Sequence, residues 1–190
     1  MMSIPSPTPT ARRLLMRYPW LIHSYGEDTQ TSAHSRLERI LDLVIKAPKR
    51  PRRTMYYLQA IALDDSAFLS TNLPDNPNIH LAPIAATWLL GRHEECAIPI
   101  PLASISRFHA AIGYSAAVGF YLVDLKSLNG TRLNGETLQS MKKYPLHHGD
   151  RIEMSHLPIE FSIAHPVAEP LDWITTSDSL DSLPATMLIG

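Results

Sequence analysis

Residues 91–135 read GRHEECAIPIPLASISRFHAAIGYSAAVGFYLVDLKSLNGTRLNG and decide the fold. Polar clusters at positions 91–92, 104–109 and 127–131 alternate with apolar runs that are typical of β-strands. Each cluster stands where a strand gives way to a loop. Alternate loops of an antiparallel sheet meet at one end, so we expect these clusters to converge. They contain two arginines, a serine and an asparagine, which are suited to holding a phosphate and the backbone beside it.

Further strands are predicted on both sides of this stretch. Short apolar segments recur with turn residues every eight to twelve positions, and Asn134-Gly135 is the strongest hairpin signal in the chain. We expect strands at residues 55–63, 85–90, 97–102, 107–114, 119–124, 131–133, 137–138, 151–154 and 159–163. Residues 66–83 are proline-rich and are expected to be a long loop with at most one short strand. This pattern indicates an all-β fold, an antiparallel β-sandwich.

One amphipathic helix is predicted ahead of the strands. Ser35 and Glu38 form a capping-box pattern, and Pro48 ends the helix. The apolar residues that share one helical face are Leu37, Ile40, Leu41, Val44 and Ile45. That face must be covered either by its own domain or by another protein.

The flanking segments complete the division of the chain. Residues 1–31 show no sustained period and are expected to be largely an arm. Lys46, Lys49, Arg50, Arg52 and Arg53 form a basic linker, read either as a contact to an anionic partner or as a solvated connection. We therefore expect an arm with helix and linker at 1–54, a sandwich domain at 55–164 and an acidic, serine-rich tail at 165–190, both flanks being flexible.

Composition narrows the functional class. The formal net charge of the 190 residues is −1, so no global field attracts nucleic acid, and no nucleic-acid partner is expected. A single cysteine, Cys96, rules out an intrachain disulfide and suits a reducing compartment. No signal-peptide core or membrane-spanning run is recognised, so the expected location is cytoplasmic.

Catalytic and metal chemistry are not indicated. The nine histidines lack the spacing or the cysteine partners that metal sites show. Ser106 and His109 lie close in sequence, but nothing marks an orienting acid or an oxyanion hole. We expect no enzyme activity, no metal and no cofactor.

The core then resembles the forkhead-associated (FHA) domain family, over roughly residues 55–164. The motifs that carry the resemblance are Gly91-Arg92, Ser106-Arg107-Phe108-His109-Ala110, Asp124-Leu125, Ser127-Leu128-Asn129-Gly130-Thr131 and Asn134-Gly135, in that order. The resemblance implies an eleven-stranded sandwich of two twisted sheets whose loops at one end bind phosphothreonine peptides. Leu128 departs from the family, which commonly has a polar residue there, and Ala97 stands where an aspartate is frequent.

The resemblance also assigns roles to individual residues. It implies that the phosphopeptide is bound by Arg92, Ser106, Arg107 and Asn129. It implies structural roles in the loops for Gly91, His109, Ser127, Gly130, Thr131, Asn134 and Gly135. His109 is expected to support the loop from beneath, and Thr131 to bond within its own loop. The glycines fit the backbone freedom that turns require.

Two functions follow as expectations. The first is a non-enzymatic phosphothreonine-binding adaptor in signal transduction, which ties a phosphorylated protein to the output of a Ser/Thr kinase pathway. The alternative is a constitutive structural or assembly subunit that uses the fold as a protein-protein packing surface. In that case the helix at 37–45 and the proline-rich loop would contact the assembly partner.

Overall fold

The computed structural model describes residues 8–23, 30–49, 52–62, 66–73 and 79–164. The predicted tail at 165–190, the first seven residues of the predicted arm and Arg50 of the basic linker lie outside these ranges. Side chains of residues 22, 23 and 30–36 are likewise outside the description.

Helices precede the strands. They are α1 (Pro9–Arg17), α2 (Trp20–His23) and α3 (Gln30–Lys46), and a 3-10 turn at Ala47–Lys49 follows. The strands are β1 (Tyr56–Ala62), β2 (Ala67–Thr71), β3 (His80–Ala82), β4 (Thr87–Gly91), β5 (Ile98–Pro99), β6 (Ala110–Ser115), β7 (Gly119–Asp124), β8 (Thr131–Leu133), β9 (Glu136–Thr137), β10 (Tyr144–Pro145), β11 (Arg151–Met154) and β12 (Leu157–Ala164). No helix among the described residues has the length and apolar content to cross a membrane.

The strands form two sheets that pack as a sandwich, which confirms the predicted fold class. The larger sheet has the order β3-β2-β1-β12-β11-β8-β9, and the smaller has the order β10-β7-β6-β4-β5. Two details differ from the expectation. Each sheet contains one parallel pair, β1 with β12 and β4 with β5, so the sandwich is mixed rather than purely antiparallel. The described residues also form twelve strands instead of eleven.

Alternating side chains of the two sheets fill the interior. In β7, Phe120 and Leu122 are buried while Tyr121 and Val123 are only partly covered. Phe120 lies between the sheets with its ring centroid 5.8 Å from that of Phe161. Period-two alternation of this kind arises because one face of the strand meets the core and the other meets solvent.

The proline-rich segment 66–83 was predicted wrongly. It contains β2 and β3, and every residue of β2 is buried. Ala67 and Leu69 face the sandwich interior, whereas Phe68 faces the helices on the other side of the sheet. A strand buried on both faces does not alternate between apolar and polar residues, so periodicity does not identify it.

The N-terminal segment is also more ordered than predicted. Thr8 caps α1 by accepting a hydrogen bond from the Ala11 N–H at 3.2 Å, and Pro9 occupies the first turn. Helix α3 starts at Gln30, so Ser35 lies inside the helix and the capping-box assignment was wrong. The predicted arm therefore contains two helices and the start of a third.

The three helices pack on the outer face of the larger sheet, and we call them the helical layer. Ile40 and Val44 of α3 are fully buried in a cluster with Ile61, Phe68 and Leu81 of the sheet. The Tyr18 hydroxyl accepts a hydrogen bond from the Leu81 N–H at 3.2 Å. The apolar face of α3 is therefore covered by its own chain.

A fragment of residues 55–164 is expected to be much less stable than the full chain. Loss of the helical layer exposes Ile61, Phe68 and Leu81, at a cost on the order of 5 kcal/mol. Thermal unfolding and binding of a hydrophobic dye would measure the effect. Met16→Ala in the full chain is the control, because that side chain is 73% exposed. A fragment that melts with the full chain and binds no dye would contradict the packing argument.

Candidate functional site

Four loops meet at one end of the sandwich, which we call the rim. In the smaller sheet, Leu90 at the end of β4 pairs with Ala110 at the start of β6, which pairs with Asp124 at the end of β7. In the larger sheet, Met154 at the end of β11 pairs with Thr131 at the start of β8. The loops at residues 92–97, 100–109, 125–130 and 155–156 therefore lie together, as expected for ends of adjacent strands.

The rim brings together the side chains predicted to bind a phosphopeptide. The Arg92 N–H donates to the Ser106 carbonyl at 2.9 Å, which joins two of the loops. The Asn129 side-chain amide donates to the Ser104 carbonyl at 2.8 Å, which joins the third. Arg107 follows Ser106 directly and is exposed. These residues come from three loops and share one end of the molecule.

Ser106 is held in place on both sides. Its hydroxyl oxygen accepts a hydrogen bond from the Leu128 N–H at 3.0 Å, and its own N–H donates to His109 Nδ1 at 3.1 Å. A hydroxyl that accepts one bond still has its proton to donate. Ser106 is therefore a fixed donor at the rim.

The two arginines are anchored differently. Arg92 is exposed, and its Nε donates to the Ile105 carbonyl at 3.3 Å, which uses one of the five guanidinium donors. Arg107 is anchored through its backbone, because its carbonyl accepts the His93 N–H at 3.1 Å. Both therefore present a cationic side chain from a backbone that is bonded to the neighbouring loop.

Gly91 is required for a different reason than expected. It ends β4, and a Cβ atom at this position would lie only 2.2 Å from the Arg107 carbonyl oxygen. Close approach of two backbones, and not turn flexibility, excludes a side chain here. Gly130, by contrast, has φ of 74° and occupies the left-handed region that favours glycine.

His109 lies fully buried beneath the rim. Its Nδ1 accepts from the Ser106 N–H, so the ring proton resides on Nε2, which faces the Gly130 carbonyl at 3.2 Å. Burial lowers the pKa of His109, against the opposing effects of the Gly130 bond and the Asp124 charge. The neutral imidazole of His109 therefore joins two rim loops through hydrogen bonds to Ser106 and Gly130.

Asp124 belongs to one of the sequence motifs, but no role was predicted for it. Its carboxylate accepts hydrogen bonds from the hydroxyls of Ser127 at 2.5 Å, Thr131 at 2.7 Å and Ser140 at 2.6 Å. Thr131 thus bonds to the end of the preceding strand and not within its own loop. Burial raises the pKa of Asp124, but the hydrogen bonds together lower it by more than burial raises it. The pKa of Asp124 therefore lies below its ordinary value.

The Asn134-Gly135 turn is not at the rim. Both residues have positive φ, 53° and 91°, and they connect β8 to β9 as the hairpin motif predicts. The Asn134 side chain donates to Asp150 at 2.9 Å and accepts from the Arg151 N–H at 2.9 Å. These bonds join two turns at the opposite end of β8 from Thr131.

Apolar side chains flank the polar ones at the rim. Leu128 is 90% exposed and therefore does not fill the space between Arg92 and Asn129. Phe108 is 43% exposed and stacks on His93 with centroids 5.3 Å apart. The rim thus offers cations and hydrogen-bond donors beside exposed apolar surface. Among the residues described, no group of three or more His, Cys, Asp or Glu side chains is placed to hold a metal ion.

This sandwich with a polar rim corresponds to a known domain family. Residues 88–155, which include three of the four rim loops and the first residue of the fourth, match the family model of the FHA domain. Over these residues, the chain therefore matches the forkhead-associated domain.

Several solved structures are similar to the chain. The N-terminal FHA domain of S. cerevisiae Rad53p, in complex with a phosphothreonine peptide, is 21% identical over 46% of this chain and 79% of that one, with a TM-score of 0.38. Mycobacterium tuberculosis EmbR, in complex with a low-affinity phosphopeptide, is 22% identical over 87% of this chain and 38% of that one, with a TM-score of 0.43. The FHA-2 domain of a Mycobacterium tuberculosis ABC transporter is 28% identical over 47% of this chain and 77% of that one, with a TM-score of 0.37. A search of curated proteins gave no match.

Acidification is expected to destabilise the protein through His109. The unfolded chain takes up this proton near the ordinary histidine value of about 6.5, while the folded state resists it. The contribution of neutral His109 to the free energy of unfolding is therefore complete above a pH of about 6.5 and is lost as the pH falls below that value.

Urea unfolding of wild type and His109→Gln, at about pH 7.5 and about pH 5.5, would measure the effect. Wild type should lose more stability than the variant, by at most about 1.4 kcal/mol per pH unit. His147→Gln, at a histidine with a 75% exposed side chain, should behave like wild type. Equal pH dependence in all three proteins would contradict the buried neutral state of His109.

Asp124→Ala is expected to destabilise the fold by about 3 kcal/mol or more. The substitution leaves three hydroxyls without their charged acceptor, and bonds to charged groups contribute roughly 1.5–3 kcal/mol each without strict additivity. Asp42→Ala is the matched control, because the Asp42–Lys46 ion pair is exposed and contributes only about 0–1 kcal/mol. Denaturant unfolding that gave the same loss for both variants would contradict the Asp124 assignment.

Proposed function

We propose that this protein is a non-enzymatic adaptor that binds phosphothreonine peptides and acts downstream of a Ser/Thr kinase. The observation that carries the proposal is the meeting of Arg92, Ser106 and Asn129, from three loops, at one rim. The FHA-domain match over residues 88–155 supports it, because that segment contains all three loops. A reducing cytoplasm, which the single cysteine suits, is the proposed location.

The chemistry of a phosphothreonine fits this set of donors. The group carries about −1.5 to −2 charges at neutral pH and has three strong acceptor oxygens. Arg92 supplies a planar fork of N–H donors, a geometry that lysine cannot reproduce. Ser106 donates its free hydroxyl proton, and Arg107 adds a second cation. Asn129, which both donates and accepts, pairs with the peptide backbone next to the phosphate.

The expected selectivity for phosphorylated over unmodified peptide follows from the free energies of the hydrogen bonds to the phosphate. A hydrogen bond to a charged group contributes roughly 1.5–3 kcal/mol, so losing two or three with the phosphate costs about 4 kcal/mol or more. This corresponds to a discrimination of about a thousandfold against the unmodified peptide. A site with this selectivity reports whether the kinase has acted.

Leu128 limits how the phosphate is held. Its aliphatic side chain cannot donate to the phosphate, whereas the polar residues common at this position can. Its N–H is already used by Ser106. The proposed site therefore holds the phosphate mainly from the side of Arg92, Ser106 and Arg107.

The assembly-subunit alternative has less support. One of the contacts it invokes is the apolar face of α3, and on that face Ile40 and Val44 are buried against the sheet of the same chain. The alternative stays a prediction that a pull-down can test. Phosphatase treatment should release the partner of an adaptor and should leave the partner of a constitutive subunit bound.

Arg92→Ala is expected to weaken binding of a phosphothreonine peptide by about a hundredfold or more, which corresponds to two charge-assisted hydrogen bonds. Arg92→Lys should also bind weakly, because it keeps the charge but loses the fork. Isothermal titration calorimetry would measure both, with Arg13→Ala on the exposed side of α1 as the control. Equal affinities of Arg92→Ala and wild type would contradict the proposed role of Arg92.

A further inference from the structure

A groove of about 450 Å³ starts at the rim and runs over the outer face of the larger sheet. It begins at Asn129 and Gly130 and continues over β8, β9 and β11 to Arg132 and Arg151. This volume lies within the range of about 300–1,000 Å³ that is usual for ligand pockets. The helical layer packs around β1, β2 and β3 on the other half of the same sheet.

The outer face of the sheet places two arginines on strands next to one glutamate. Arg132 on β8 is the cross-strand partner of Glu153 on β11. Arg151 lies two residues before Glu153 on the same face, and its Nη2 is 2.5 Å from Glu153 Oε1. The charged side chains that line the groove, Arg132, Arg151 and Glu153, carry one net positive charge; Glu160, the cross-strand partner of Arg151 on β12, lies outside the lining. Arg151 is paired with Glu153, and the Nε of Arg132 donates to the Thr137 hydroxyl at 3.5 Å. Both arginines are exposed and line the groove.

The groove is joined to the candidate phosphate site by the backbone of Gly130. The Gly130 carbonyl accepts hydrogen bonds both from His109 Nε2 at 3.2 Å and from the Ser155 N–H at 3.0 Å. His109 in turn bonds Ser106, whereas Ser155 lines the groove. Asn129 belongs to both places. The groove therefore starts at Asn129, the residue that is proposed to hold the peptide backbone.

Resting on the proposed function, we propose that this groove binds the acidic flank of the same phosphopeptide. The side chains of an aspartate or glutamate near the phosphothreonine would meet Arg132 and Arg151. The net charge, the exposure of both arginines and the shared Asn129 all favour an anionic segment over a neutral or basic one. The groove thereby adds sequence selectivity to a rim that recognises the phosphate.

Substitution of Glu153 tests the proposal in the opposite direction from substitution of the arginines, because it should strengthen binding. Its carboxylate repels an acidic peptide side chain and neutralises part of the charge of Arg151. Glu153→Gln keeps the size of the side chain and removes that charge. It should therefore strengthen binding of acidic peptides, a result that general damage to the fold cannot produce.

The experiment uses the full chain and a series of phosphothreonine peptides. A single glutamate is moved through successive positions on either side of the phosphothreonine in an otherwise neutral peptide, and affinity is measured by fluorescence anisotropy. Wild type should prefer glutamate at one or two adjacent positions, by about twofold to fivefold over alanine. Arg132→Ala and Arg151→Ala should lose that preference and bind the neutral peptide as wild type does. Glu153→Gln should increase the preference, and the matched control Arg13→Ala should leave it unchanged.

The outcomes separate the two proposals. Equal affinity of wild type for every glutamate position, or a preference that survives both arginine substitutions, would overturn the groove assignment while leaving phosphothreonine binding intact. Failure of wild type to distinguish phosphorylated from unmodified peptides, or full binding by Arg92→Ala, would overturn the proposed function and this inference with it.

Discussion

The rim depends on His109, whose bonds join three segments of the chain: the end of β4, its own loop at 100–109 and the loop at 125–130. Its N–H donates to the Leu90 carbonyl and its carbonyl accepts from the Leu125 N–H, both at 2.9 Å. Its ring accepts from the Ser106 N–H through Nδ1 and faces the Gly130 carbonyl through Nε2. Both ring positions are satisfied only in the neutral tautomer with the proton on Nε2, because a second ring proton would displace the Ser106 N–H. Burial enforces that state by penalising the charged ring.

The larger sheet divides its outer face between two uses. Around β1, β2 and β3 that face carries Ile61, Phe68 and Leu81, which the helical layer buries. Over β8, β9 and β11 it carries charged side chains and a groove. The apolar surface over β1, β2 and β3 is covered by the protein's own helices, since large exposed apolar patches are unfavourable. The second half stays open to solvent and lies next to the rim, so the helical layer and the groove occupy different parts of one sheet.

Whether a strand could be predicted from the sequence depended on how many of its faces are buried. Strand β7 was predicted at its observed bounds because one face meets the core and the other does not, which produces alternation. Strand β2 was missed because both faces are buried. Helix α1 had its signals in Thr8 and Pro9, which were read as part of a proline-rich arm. The candidate rim residues were predictable from motifs at strand ends. The groove was not, because it depends on the register that places Arg132 opposite Glu153.

The neutrality of His109 also determines how a dianion can be held above it. A phosphate attracts a proton to any nearby basic group, and a protonated His109 would lose its bond from the Ser106 N–H. The candidate site avoids this conflict, because it presents the permanent charges of Arg92 and Arg107 at the surface and keeps the imidazole fully buried. Asp124, held ionised by three hydroxyls, lies near the buried ring without a direct bond to it. The exposed positive charge of the rim and the bonds that fix its loops thus come from different residues, so each can be changed without the other.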